Sequence, residues 1–200
     1  MSSIWDLYEY QPAFVVGFHG CDAKIGEGIL SGSIEHLKFS RKRWDWLGHG
    51  IYFWEGNPQR ALEWAQERKA QGTINAPFVI GALIDLRHCL DLLDSSGLQQ
   101  VKDAYVTLES SYAKIDKPLP RNSGRDKAAR MLDCLVVNSL HDYLTSNAQP
   151  KYDSVRAMFP EGDELYTEAG FKDKNHIQLC IRDTSCIKGY FRPIKSKLRR

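Results

Sequence analysis

The chain has 200 residues, 42% of them hydrophobic and 26% charged, with a formal net charge of +2. That length supports one domain with a proper core rather than two, and the composition is that of an ordinary soluble globular protein. No apolar run is long enough to span a bilayer, and so small a net charge names no partner.

Residues 13–18 (AFVVGF) read as a buried strand, because β-branched and aromatic residues run together. Residues 26–30 make a short helical turn that ends at Gly32. Residues 40–50 form a loop rich in basic and aromatic residues. Asn57-Pro58 marks a helix start, since Asn caps and Pro suits the first turn. That helix is expected to run to about Gln71 with Gly72 as its terminator, and to place Ala61, Leu62, Trp64 and Ala65 on or near its inward face. Residues 77–86 (PFVIGALIDL) form the next strand. Leu98, Val101, Tyr105, Leu108 and Tyr112 then recur at helical spacing. After the polar loop KPLPRNSGRDK, residues 127–143 form a second long helix with Met131, Leu132, Leu135, Val136 and Leu140 apolar. Residues 154–159, 177–181 and 187–191 are late strands, and the acidic stretch PEGDELYTEAGFKDKN between the first two is a surface loop. Strands before and after a helical middle predict an α+β fold.

The opening MSSIWDLYEYQ lacks the basic-then-apolar pattern of a secretion signal, so a cytoplasmic protein is expected. The five cysteines, Cys21, Cys89, Cys134, Cys180 and Cys186, include no CxxC and are read as reduced, mostly buried thiols. Cysteines and histidines show no zinc spacing, and no metal is expected. Two basic clusters stand out, Arg41-Lys42-Arg43 and the tail Lys195, Lys197, Arg199 and Arg200. Such clusters neutralise phosphates, although most short basic runs are simply solvated surface.

The chemistry-bearing residues lie in GFHGCD and GHGIYFWEGNPQRALEWA. The first puts His19-Gly20 at the end of an apolar strand; the second puts Gly50-Ile51-Tyr52-Phe53 before the Asn57-capped helix. A ring nitrogen, a glycine that admits close backbone approach and an aromatic face with a polar tip are parts of a pocket for a flat, polar heterocycle. Strand alternation sends Tyr52 and Phe53 to opposite faces, with Phe53 in the core. It also groups His176, Gln178, Cys180 and Arg182 on one face, opposite Ile177, Leu179 and Ile181. Arg182 reads as a surface strand arginine, while His36, His88 and His141 read as structural.

The ordered pair His19-Gly20 and Gly48-His49-Gly50-Ile51-Tyr52-Phe53, followed by Trp64 in Ala61-Leu62-Glu63-Trp64-Ala65, resembles the signature of the poly(ADP-ribose) polymerase and diphtheria-toxin class of ADP-ribosyltransferases. The resemblance covers roughly residues 13 to 90, with a weaker match near 176 to 192. It implies two small antiparallel sheets packed face to face with flanking helices, NAD as co-substrate in the cleft between them, and a single domain over 1–200. The helices of about 95–146 would be an insertion beside that core. By the resemblance, His19 would bond the adenosine ribose hydroxyl, Gly20 would meet the nicotinamide amide with its backbone, and Tyr52 and Trp64 would sandwich the ring. His49 replaces the lysine or glutamine usual before Gly-Ile-Tyr-Phe. Trp64 falls one residue late, which requires an insertion around Gly56.

The third family element, a late acidic residue on a strand, aligns with Gln178. A glutamine bonds a ribose hydroxyl but offers no negative charge, which speaks against chain elongation and for transfer of a single ADP-ribose. A carboxylate of the preceding loop, Glu161, Asp163, Glu164 or Glu168, would be the substitute. The implied function is mono-ADP-ribosyl transfer to a macromolecular acceptor, nucleic acid (RNA above all) ahead of protein. The compact shape is that of toxin–antitoxin and phage-defence effectors, which an antitoxin or inhibitor protein restrains. The rival readings are a catalytically inactive NAD or ADP-ribose binding module and an NAD glycohydrolase.

Overall fold

In the computed structural model, which describes residues 14–124 and 129–194, the apolar run Phe14–Asp22 forms the first strand, β1. Ala13, Lys127 and the basic tail (Lys195, Lys197, Arg199, Arg200) lie outside the described residues. β1 pairs antiparallel with β3 (Pro77–Asp85) over its whole length, from Phe14↔Asp85 to Asp22↔Pro77. β3 in turn carries β7 (Ile187–Phe191) on its far side. These three strands form one wing. The other comprises β2 (Ile51–Glu55), β6 (His176–Ile181), β5 (Ser154–Phe159) and the short β4 (Cys89–Asp91), which pairs parallel with β5.

The two wings belong to one sheet of seven strands in the order β4-β5-β6-β2-β1-β3-β7. This corrects the expectation of two sheets packed face to face; the α+β class stands. The link between the wings is narrow. β1 and β2 pair only through Gly17↔Glu55 and Phe18↔Trp54. Beyond that point β1 runs on with β3 to Asp22 while β2 stays with β6 back to Ile51, so their facing edges part.

Alternation gives each side of the sheet its own apolar cluster. Phe53, Ile51, Ile80, Ile84, Leu179 and Ile181 pack on one side with Ile29 of α1 (Ala23–Leu30) and with Leu37. Each such large buried side chain contributes about 1.5–3 kcal/mol by leaving water. On the other side Val155, Ala157, Cys180 and the partly buried Tyr52 pack under Val137, Leu140 and Leu144 of α4 (Met131–Ser146). α3 (Ser95–Lys114) lies outside α4 and buries only Gly97 completely, so Leu98, expected on its apolar stripe, is exposed. α2 (Pro58–Ala70) starts where Asn57 caps it, the Asn57 side chain accepting from the Arg60 N–H.

α4 begins four residues later than the expected Lys127. Its cap is supplied from a distance: the Asn122 side-chain oxygen accepts from the N–H groups of Leu132 (2.9 Å) and Asp133 (3.3 Å). All five cysteines are buried and free. No helix among the described residues is long and apolar enough to cross a membrane.

Candidate functional site

His19 sits at the place where β1 and β2 part. Its Nδ1 lies 2.6 Å from the Tyr52 carbonyl oxygen, bridging the split. A carbonyl only accepts, so Nδ1 carries the hydrogen, and in the neutral ring Nε2 is an acceptor. Burial pulls the His19 pKa below the ordinary histidine value against the smaller opposing effect of the Tyr52 carbonyl, so the ring is neutral at pH 7. The Trp64 ring lies 6.3 Å from the His19 ring, and the Phe53 ring 5.9 Å from it on the core side.

Gly20 faces α2. A Cβ there would lie 2.1 Å from the Ala61 carbonyl oxygen, so the missing side chain is what lets α2, and with it Trp64, come down onto β1. This packing task is distinct from the ligand contact expected of Gly20. Gly56 adopts φ +60° in the turn between β2 and Asn57, where the one-residue insertion was placed.

Tyr52 and Phe53 occupy opposite faces, as alternation requires. The Tyr52 hydroxyl donates to the Gly48 carbonyl at 2.6 Å and accepts from the Leu47 N–H at 2.8 Å, and burial raises the phenol pKa well above its usual value. Tyr52 thus pins the loop that precedes it. The ring beside Trp64 is Trp54, at 6.0 Å. Trp54 was missed because the motif drew attention to Tyr52; a residue two further along a strand shares its face.

Gln178 registers across from Trp54 on one side and Ala157 on the other, facing away from buried Leu179 and Ile181 as expected. Two residues earlier, His176 lies 6.3 Å from the Trp54 ring and stacks with Phe159 at 5.8 Å. Its Nδ1 donates to the Lys174 carbonyl at 2.8 Å, and burial lowers its pKa. Of the four loop carboxylates, Glu161 approaches this strand: its Oε2 is 3.0 Å from Arg60 Nη2 and 3.6 Å from His176 Nδ1. Asp163, Glu164 and Glu168 are exposed, and Glu164 accepts from the Glu168 N–H within the loop.

Arg60 was not singled out in the sequence, since nothing local announces a buried arginine on the first turn of a helix. It is 5% exposed and pairs with both Glu63 and Glu161. Trp54 Nε1, Arg60 Nε and His176 Nε2 are buried with no hydrogen-bond partner among the described residues. Two of these atoms donate and the third, in a neutral ring, accepts. Unpaired buried polar atoms cost about 1–3 kcal/mol each.

Arg182 corrects from surface to half-buried. It donates to the His49 carbonyl (3.0 Å) and the Asn138 side-chain oxygen (3.1 Å), which ties the loop before β2 to α4. His36, His88 and His141 bond Tyr190, the Lys151 carbonyl and the Val137 carbonyl, in keeping with structural roles.

No protein-family model matches the chain, and neither the curated proteins nor the solved structures contain a match to it.

Proposed function

We propose that the chain is an NAD-dependent mono-ADP-ribosyltransferase acting on a macromolecular acceptor. The observation that carries this reading is the split between β1 and β2: at its mouth the neutral His19 imidazole keeps Nε2 as an acceptor, and Trp64 stands alongside. An acceptor nitrogen suits a ribose hydroxyl, and the indole surface suits a flat heterocycle.

In the reaction, the bond between ribose C1′ and the nicotinamide nitrogen breaks with its electron pair on nicotinamide, which leaves neutral. The acceptor's lone pair bonds C1′, and the acceptor's proton passes to solvent. The sugar becomes oxocarbenium-like, and fixed dipoles are the means of steadying it. Gln178 offers its amide oxygen, and Glu161 supplies the nearby negative charge although it is shared with Arg60. A second reading, an NAD or ADP-ribose binding module, is favoured by those same two facts: the strand position carries an uncharged amide, and the adjacent carboxylate is already paired.

The test is nicotinamide release from NAD with and without added RNA or protein. Release that needs acceptor supports transfer; release without it supports a glycohydrolase; binding without release supports the module. His19→Ala is expected to abolish both NAD binding and transfer. Gln178→Ala is expected to lower kcat more than it raises KM, because its bond to the sugar matters most as charge develops. An unchanged NAD affinity in His19→Ala would remove the basis of the reading.

A further inference from the structure

Residues 40–50 are an ordered loop with an unusual display. Ser40 and Gly50 close its ends by exchanging both backbone hydrogen bonds, at 2.9 and 3.1 Å. Inside, the Asp45 carboxylate accepts from the Lys42 N–H and the Gly48 N–H bonds the Asp45 carbonyl. The Tyr52 hydroxyl holds Leu47 and Gly48, while Asn138 of α4 accepts from the His49 N–H. On this fixed frame Arg41, Lys42, Arg43 and Trp44 all point outward, and Trp44 is 47% exposed. Lys38 adds a further exposed cation, and the Arg41 guanidinium lies over the Phe39 ring at 5.1 Å.

The loop leads into the candidate site through a row of rings. Trp46 packs on Phe159 at 4.4 Å, Phe159 stacks with His176, His176 meets Trp54, Trp54 meets Trp64, and Trp64 meets His19.

We propose that this loop is a binding platform for single-stranded nucleic acid, with Arg41, Lys42 and Arg43 on the phosphates and Trp44 stacked on a base. The proposal rests on the transferase reading in one respect only, that the strand held here is the acceptor presented to the site. The chemistry is specific to an unpaired strand. Cations alone would suit any polyanion, including an acidic protein segment. An exposed indole beside them adds a surface for an unstacked base, which a duplex keeps inside its own stack. Every base has a π-face, so stacking on Trp44 tolerates many sequences.

The experiment measures binding without NAD. A labelled single-stranded RNA of about 12 nucleotides is titrated with the full chain by fluorescence anisotropy, alongside the matching duplex and a polyglutamate peptide. Single-stranded RNA is expected to bind well ahead of both. Trp44→Ala is expected to weaken binding roughly 5- to 150-fold. Arg41→Glu with Arg43→Glu is expected to weaken it further and to make the fall of log K with log salt shallower by about 1.4, the share of two phosphate contacts on a single strand. NAD affinity is expected to be unchanged in both variants. Equal binding of duplex or polyglutamate, or full affinity in Trp44→Ala, overturns the proposal. Because no NAD is present, failure of the transferase reading leaves this result standing, and failure here leaves nicotinamide release untouched.

Discussion

A methyl group on Gly20 would lie 2.1 Å from the Ala61 carbonyl oxygen, and the obstacle is helix backbone, which cannot swing aside as a side chain would. Ala65 Cβ stands 3.2 Å from the same point, so moving α2 away opens a gap along that face. Gly20→Ala is therefore expected to cost about 3 kcal/mol, at the upper end for overpacking of a tight interface. Urea unfolding reads this directly, and a midpoint equal to that of the parent would mean that α2 does not rest on Gly20. The same residue carries a packing demand that the motif does not show. A glycine after a strand histidine reads as room for a ligand, yet the first thing occupying that room is the protein's own helix. His19 pairs with the Tyr52 carbonyl, which meets the hydrogen-bond demand that any buried imidazole has.

The start of α4 depends on Asn122, whose side-chain oxygen takes two orphan N–H groups at the helix end while its amide nitrogen bonds Asp133 at 2.8 Å. Asn122→Ala is expected to destabilise the protein by about 1 kcal/mol, as loss of a helix cap does, and to raise amide exchange in the first turn of α4. Exchange unchanged at Leu132 and Asp133 would refute the cap. Sequence reasoning placed this helix too early because the cap is ten residues away and outside any local signal. Where signals are local, bounds were legible: the runs 154–159 and 187–191 are the strands observed, and Asn57-Pro58 opens α2. β4 escaped notice because Cys89–Asp91 is too short to show a period and is defined by its parallel pairing to a strand more than sixty residues later. The narrow β1–β2 link was likewise invisible, being a matter of which edges meet. At the site, the faces of Tyr52 and Gln178 followed from alternation. Trp54 and Arg60 did not, since an indole's neighbours and a buried arginine's acid partner are set by folding; Glu161 is 101 residues from Arg60.

Within the larger wing, Arg156 of β5 ties strands that do not all pair with one another. Its guanidinium bonds Glu55 at the end of β2 at 2.6 and 3.1 Å and Asp91 of β4 at 3.0 Å, spanning the larger wing. The stability of the whole molecule is set against this by its histidines. Burial is the leading cause that lowers the pKa of His19, His141, His176 and His49, with His141 brought down to about 4. Each of these rings takes up a proton more readily in the unfolded chain than in the folded one, so the unfolded state binds more protons below the unfolded pKa of about 6.5 and stability falls as pH falls. The loss begins near pH 6.5 and continues until the folded-state values are passed, close to pH 4 for His141. Asp45, whose carboxyl is raised by burial, opposes this only near the acid end of that range. The carboxylates held low, such as Asp183 with its Ser185 N–H bond, stay ionised through it. His141 alone accounts for about 3 kcal/mol between pH 7 and 4 at 1.36 kcal/mol per unit. Urea unfolding between about pH 7.5 and 4.5 is thus expected to show a steady drop in midpoint, and His141→Phe is expected to flatten it. A midpoint that held constant down to pH 5 would mean that these rings protonate in place, and that the packing around His19 and His176 is looser than the distances at the site require.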